Sequence, residues 1–574
     1  MELTAAPGRL ERVNGPVVHI AGLDHPVRHE FVEVGEEHLP GEIIALDRGI
    51  AIAQVHEYTG GLAVGAPVWS SGHALTVELG PGLLGGIYDG LLRPLDIADE
   101  FLAPRRLTRP TATSHRFEPR VETGDEVFAG DVLGAIPGSF EHLVLVPPAT
   151  AGRLTRLVPA GEYSTTDVVA EIDGAPVRLA SEWPIRRPRP IAERRVDRRP
   201  FVTGQRVLDV LEPIATGSSA TVIGGFGEGK TMLLEQLAKW GDADIIIYVG
   251  CGERGNELAD LIDELSELTD PRSGRALLER TIILANTSNM PVMAREASIY
   301  TAVTIAEFFR DMGAHAVIIA DSTSRWAEAR RELSSRTGAI PAEQGYPADL
   351  PASLAAFYQR AGSVTTTGGR EGAVTIVTSV SPPGGDVTEP VSAHTQRFVQ
   401  AVWALDRDLA YARHYPAVSW HRSFSRDGDA IARWYAAHGD PDWSVRRSRL
   451  HVLLNEAERL QSIADLVGLS SLPTDERITL LGARLVSEAV LQQSALSEHD
   501  ASCSPAKQAA LVRAVLDVHD AARSLGRSGV PASVIEAFDF GPLLRAKDAV
   551  AADDASGVDE IAAALLHDLE AQAS

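Results

Sequence analysis

Apolar positions along the chain change their period several times. Up to about residue 75, short apolar runs such as GPVVHIAGL, GEIIALDRGIAIAQV and VGAPVWSSG alternate with Gly, Pro and Asp turns. Strands at that spacing predict a small β-barrel over residues 1–75. The next stretch, ELGPGLLGGIYDGLLRPL from Glu78 to Leu95, is rich in Gly and Leu and reads as a short helix within a linker, 76–109. Residues 110–190 return to short strands broken by Gly and Pro, as in GDEVFAGDVLGAIP and HLVLVPPATAGRLTRLVPAGEY, and predict an inserted β-rich module. A basic, proline-rich stretch follows, WPIRRPRPIAERRVDRRP. Proline-rich chain is extended and no aromatic stacking platform accompanies it, so a stiff linker is preferred over a nucleic-acid contact.

From 191 to 437 the pattern alternates apolar strands with helices. Strands are expected at Ala220–Ile223, Asp244–Gly250, Thr281–Asn286, Ala316–Asp321 and Val374–Val380, and helices at Thr231–Trp240, Asn256–Leu268 and Ser298–Met312. This is the βα alternation of a mainly parallel sheet. Residues 438–574 read as helices, with Leu450, Leu453, Leu454, Ala457 and Leu460 at helical spacing and Pro473, Pro505 and Pro531 as punctuation. The last stretch, AADDASGVDEIAAALLHDLEAQAS, is acidic and is expected to fray. The fold class is thus multidomain: N-terminal β-barrel, β-rich insert, central α/β P-loop domain, C-terminal α-helical domain.

Charge narrows the function classes. The 574 residues carry a formal net charge of −25, which disfavours coating nucleic acid or lying on anionic lipid. Two cysteines, Cys251 and Cys503, exclude a disulfide framework or a cysteine-based zinc module and fit a reducing compartment. No signal peptide is visible, and no apolar run approaches the roughly 18 residues of a membrane span. A soluble, cytoplasmic chain is expected, with any membrane role passing through a partner.

The strongest chemical signal is Gly224-Gly225-Phe226-Gly227-Glu228-Gly229-Lys230-Thr231, a full G-x-x-x-x-G-K-[ST] motif between an apolar strand and a helix. Glycines let backbone N–H groups wrap a phosphate, and the helix N-terminus adds a positive dipole end. Lys230 is expected to bridge β- and γ-phosphates and Thr231 to offer its hydroxyl to Mg²⁺. Met232 completes the expected nucleotide-binding run. Asp321, ending the strand AHAVIIAD, suits a second Mg²⁺ ligand acting through water. Glu253, straight after DIIIYVG, either polarises an attacking water or serves as a helix-start carboxylate. Arg254 either meets phosphate or forms a surface ion pair. Arg325 carries the same two readings, and Cys251 reads as a buried small residue.

The segments GGFGEGKT, VGCGERGNE, PVMAREAS, ADSTSRWAEARRE, SVSPPGGD and RHYPAVSW together resemble the catalytic A subunit of V-type and archaeal-type rotary ATPases. The resemblance spans nearly the whole chain and includes GDEVFAGDVLG and LVPPATAG, which are similar to that family's inserted bulge domain. It implies an ATP hydrolase and synthase coupled to H⁺ or Na⁺ movement. The substrates would be ATP and ADP, with Mg²⁺ as cofactor. The implied partners are a noncatalytic B subunit in an alternating hexamer, supplying an arginine finger, together with central and peripheral stalks and a membrane ion-translocating sector. No nucleic acid is implied, and the complex would sit on the cytoplasmic face of a membrane. On this resemblance Lys230 and Thr231 match phosphate and Mg²⁺ positions, Glu253 the glutamate that orients water, Arg254 and Arg325 active-site arginines, and Asp321 the Mg²⁺-site aspartate.

Several positions depart from that family's pattern. Gly225 stands where Pro is usual, and Glu228 where relatives carry Ser, Ala or Cys. Glu228 is expected to point outward, where a solvated carboxylate avoids desolvation. Leu496 replaces a Phe that helps sandwich adenine, Ser419 an Asn or Asp, and Glu212 a Phe. Three alternatives fit less well. A noncatalytic B-type subunit conflicts with the complete P-loop and Glu253. A hexameric nucleic-acid motor conflicts with the acidic charge, and an export ATPase would lack the insert at about 110–185.

Overall fold

The computed structural model describes residues 7–95, 113–196, 198–225, 227–270, 272–338 and 340–571. The chain forms two compact units. The first comprises Met1–Val196, Thr216–Ser219 and Ala243–Val399, and the second Asp197–Ala215, Ala220–Asp242 and Gln400–Ser574.

In the first unit, strands Gly8–Asn14, Val17–Ala21, Glu30–Val34, Leu39–Asp47, Ile50–Val55 and Pro67–Ala74 close into a barrel. Its interior is aliphatic, with Leu10, Val18, Ile20, Val32, Ile43 and Val55 buried together. Beyond it the expected short helix is absent. Thr76–Leu79 is a strand paired antiparallel with Ser181–Pro184, and Ile87–Tyr88 lies parallel to Thr281–Asn286. The reason is local: Gly82 and Gly85 sit at φ of 92° and 78°, left-handed values that a right-handed helix excludes. Between 114 and 178 two four-stranded sheets share two small cores, one around Leu133, Leu154 and Ile172, the other around Phe117, Val144 and Val169, each drawing residues from both sheets.

In the basic stretch that follows, Arg186 and Arg189 are spent on internal carboxylates. Arg186 Nε donates to Glu42 Oε1 at 2.6 Å, and Arg186 Nη2 donates to Glu296 Oε2 at 2.7 Å. Arg189 Nε donates to Asp311 at 2.7 Å. Burial alone would raise the Glu42 and Glu296 carboxyls, but the Arg186 guanidinium overrides it and lowers both, Glu42 to well below the usual carboxylate range.

Between 219 and 404 the chain alternates β1 (Ser219–Ile223), α1 (Lys230–Trp240), β2 (Ile245–Cys251), α2 (Gly255–Glu267), β3 (Thr281–Asn286), α3 (Val292–Asp311), β4 (His315–Asp321), α4 (Thr323–Thr337), β5 (Glu371–Val380) and β6 (Ala401–Ala404). In the first unit β5, β4, β2 and β3 are parallel neighbours, with Gly250 opposite Asp321. Every residue of β2, β3 and β4 is buried, as parallel strands covered on both faces require. Helix α3 starts six residues earlier than its sequence pattern suggests. It is buried on almost every side, so no amphipathic stripe marks its first turns.

In the second unit β1 pairs parallel with β6, and Phe424–Ser425 adds an antiparallel strand to β6. Helices Trp443–Val467, Thr474–Leu485, Pro505–Arg527, Ala532–Glu536, Gly541–Ala549 and Ala555–Ala571 follow. The stripe Leu450, Leu453, Leu454, Ala457 and Leu460 is buried. Pro473, Pro505 and Pro531 stand at helix starts, where a missing N–H costs nothing. Among the described residues the last stretch is not frayed but a helix over Ala555–Ala571. Val558, Ala562, Leu565 and Leu569 form one buried stripe, and the helix packs against Pro505–Arg527. That apolar stripe outweighs the acidic residues, which remain on the outer face.

Glu212, which had no account from sequence, is only 3% exposed, with Arg447 Nη2 at 3.5 Å and His451 Nε2 at 3.7 Å. Burial pushes its carboxyl up to about 7, against the opposing pull of Arg447. A carboxyl raised on folding binds its proton more tightly in the native chain. Stability therefore falls as pH rises from its unfolded value of 4.5 to about 7. Glu212→Gln is expected to gain about 2 kcal/mol relative to the parent chain between pH 5 and pH 8 in denaturant unfolding. A pH-independent difference would refute the assignment. For the last helix, Leu569→Ala is expected to cost about 2–4 kcal/mol and to speed amide hydrogen exchange across Val558–Leu569.

Candidate active site

In the second unit the fully buried β1 ends at Ile223, the chain turns through the glycines, and α1 begins at Lys230. Gly227 and Gly229 take φ of 79° and 91°, values a side chain would strain. Gly229 stands as the residue before the helix, so the α1 N–H groups open toward the loop. Lys230 is 9% exposed, and its Nζ donates to Gly224 O at 2.8 Å and also to Gly225 O. Thr231 and Met232 are exposed in the first turn of α1. Phe226, expected within the nucleotide-binding run, lies outside the described residues.

Glu228 does not point outward. Its carboxylate folds back over the loop, where Gly225 N–H donates to Oε2 at 2.6 Å. A side-chain-free residue with an available donor offers a charge-assisted hydrogen bond, and that bond wins over full solvation. Tyr415 also borders the loop: a Cβ placed on Gly229 would lie 3.6 Å from its ring. Leu496 is 96% exposed. Ser419 holds the chain by its backbone, its N–H donating to Ala404 O at 2.8 Å.

In the first unit the parallel register sets the remaining residues at one sheet edge. Cys251 ends β2, Glu253 follows two residues on, and Asp321 ends the adjacent β4. Gly252 is required there: its φ is 77°, and a Cβ on it would sit 2.8 Å from Arg325 Cβ. Asp321 is 2% exposed, and Ser379 at the end of β5 donates its hydroxyl to Asp321 Oδ1 at 2.5 Å. Burial, then the nearby charges of Asp321 and Glu257, push the half-buried Glu253 carboxyl up to about 8, with Arg325 pulling the other way. Cys251 is fully buried and its thiol is pushed up to about 12, chiefly by burial, which makes it inert.

The two arginines differ. Arg325, half exposed, pairs with Glu328 at 3.0 Å and is electrostatically coupled to Glu253. Arg254 is mostly exposed and has Glu257 at 3.9 Å, so Glu253, Asp321 and Arg325 form one group while Arg254 points away into solvent. Sequence reasoning missed Ser379, Glu257 and Arg295. Arg295, 8% exposed, reaches Ser288 O at 3.2 Å and acts electrostatically on Cys251. All three lie in segments singled out above, but only the fold shows which of their side chains turn toward Asp321 and Glu253.

Mg²⁺ binds through one or two protein oxygens, water and substrate phosphates rather than a full protein cage. Each unit by itself offers oxygen of that kind, a buried carboxylate at Asp321 in the first and an exposed hydroxyl at Thr231 in the second, and among the described residues no group of three or more His, Cys, Asp or Glu is placed to hold a metal.

Residues 204–425 match the nucleotide-binding domain of the ATP synthase alpha/beta family. Residues 110–186 match the ATP synthase alpha/beta subunit barrel-sandwich domain, and 432–525 the C-terminal domain of V and A type ATP synthase. The chain is 45% identical to the A subunit of the A-type ATP synthase of Haloferax volcanii, covering 98% of this chain and 96% of that one. It is 48% identical to the V-type ATP synthase alpha chain of Nitrosococcus oceani over 91% of each chain, and 47% identical to that of Anaeromyxobacter sp. over 98% of each. Among solved structures, an assembled ATPase from the type III secretion system of enteropathogenic E. coli matches with a TM-score of 0.64 over 89% of this chain and 100% of that one. At 21% identity that is a likeness of fold alone. With 45–48% identity over nearly its whole length, the chain belongs to the ATP synthase alpha/beta family, in the group of A-type A subunits and V-type alpha chains.

Proposed function

We propose that this chain is the catalytic subunit of a rotary ATP synthase and ATPase, interconverting ATP and water with ADP and phosphate while partner subunits couple the reaction to ion movement across a membrane. The observation that carries this reading is the Gly224–Thr231 loop, delivered by a buried strand to the start of α1 in a chain related end to end to A-type and V-type subunits. No described helix is long and apolar enough to cross a membrane, so in this reading ion passage belongs to other subunits of the complex. Those partners are a noncatalytic homologue that alternates with this chain in a hexamer, stalk subunits, and a membrane sector.

In this reading the loop's N–H groups and Lys230 hold the β- and γ-phosphates and stabilise the charge that moves between them. Thr231 and Asp321 are the residues that would hold Mg²⁺, which supplies charge neutralisation on the phosphates. Ser379 fixes the Asp321 carboxylate by its hydrogen bond. Glu253 orients the attacking water and accepts its hydrogen bond. Arg325, coupled to Glu253, keeps a positive charge beside it. Arg254 contributes once it leaves its exposed position.

The test is Mg-ATP hydrolysis by the chain assembled with its partner subunits. Glu253→Gln is expected to lower kcat by about 100- to 10,000-fold while nucleotide still binds. Lys230→Ala is expected to abolish nucleotide binding and turnover together. Hydrolysis within twofold of the parent in Glu253→Gln would remove Glu253 from the mechanism, and retained binding in Lys230→Ala would overturn the phosphate-site reading.

A further inference from the structure

Two positions that depart from the resembling family, Gly225 and Glu228, meet in space. Gly225 N–H donates to Glu228 Oε2 at 2.6 Å. A Cβ built on Gly225 would lie 2.7 Å from Glu228 Oε1, and one built on Gly224 would lie 2.8 Å from Oε2. The carboxylate thus fills the space that two missing side chains leave open. Proline at 225 would remove the donor as well as the space, since it has no N–H. Lys230 Nζ meanwhile donates to the carbonyls of the same two residues, Gly224 and Gly225. The loop therefore binds itself: its cation holds its own carbonyls, and one of its N–H groups holds its own carboxylate.

We infer that Glu228 is an in-built competitor for nucleotide phosphates, held by Gly225, and that this pair sets the affinity of the loop for phosphate-bearing ligands. The inference rests on the reading of Gly224–Thr231 as the phosphate site. An entering phosphate meets a carboxylate of like charge, and it gains the Gly225 N–H only when Glu228 swings into solvent. That exchange breaks a charge-assisted hydrogen bond, so its cost is subtracted from the affinity of every ligand carrying phosphate. A nucleoside without phosphates is not penalised. Arg407, exposed on the same unit and electrostatically coupled to Glu228, provides a cation toward which the displaced carboxylate can turn.

The experiment is calorimetry on the full chain with MgADP, inorganic pyrophosphate and adenosine. Glu228→Ser and the isosteric Glu228→Gln are expected to tighten MgADP and pyrophosphate by about three- to thirtyfold and to leave adenosine unchanged. Gly225→Pro releases the carboxylate, so Glu228→Ser should improve affinity less on a Gly225→Pro background than on the parent, a coupling the double-mutant cycle reads directly. A Kd for MgADP within twofold of the parent in Glu228→Gln would overturn the inference. So would strictly additive effects of the two substitutions, or equal tightening of adenosine. Lys230→Ala separates the two levels: if it binds MgADP like the parent, the phosphate-site reading itself fails. If Gly225→Pro does not fold, Glu228→Gln alone decides, because it changes charge and not shape.

Discussion

The candidate site depends on one geometric constraint, the parallel register of β2 and β4. With Gly250 opposite Asp321, both strands end at the same edge of the sheet. The Cys251–Glu253 turn and the Asp321 carboxylate must then emerge side by side. Burial and mutual repulsion follow from that placement, and together they lift Glu253 toward neutrality. A slip of one residue would turn Asp321 to the opposite face and dissolve the group.

Charge placed inside the molecule fixes the surroundings of that sheet. Arg186 joins Glu42 of the barrel to Glu296 of α3, and Arg360 makes a two-pronged contact with Glu307 on the same helix. Truncating one member of such a buried pair typically costs about 3–5 kcal/mol, because the other charge is stranded. The barrel and α3 are therefore held by groups with one acceptable geometry, whereas a purely apolar contact could slide. The basic stretch after the insert makes sense in this light: Arg186 and Arg189 serve buried carboxylates and Arg194 donates to backbone carbonyls, an architectural contribution.

The phosphate loop illustrates how a motif can be complete in sequence and still hold a local surprise. Gly224, Gly229, Lys230 and Thr231 satisfy the motif, and Gly229 takes the left-handed φ that its glycine permits. Gly225 and Glu228 obey a second rule, complementarity between a bare N–H and a carboxylate three residues on. Each looks like an isolated departure until the distance between them is known.

Much of this protein was legible in the order of its residues, because local chemistry settled it. Apolar runs bounded by glycine located the parallel strands to within a few residues, prolines marked helix starts, and the G-x-x-x-x-G-K-T spacing located the phosphate loop. Whole-segment resemblance placed the chain in its family. Other features depended on neighbours distant in sequence. Thr76–Leu79 became a strand because Ser181–Pro184 lies beside it, and the acidic last helix is ordered because Pro505–Arg527 covers its apolar stripe. Glu212 found Arg447, and Ser379 found Asp321. Sequence determined where strands, turns and the phosphate loop fall, since those follow from the chain's own periodicity and backbone freedom. Only the tertiary structure decided which carboxylates meet which donors, since burial, charge pairing and pKa depend on what the rest of the chain brings near.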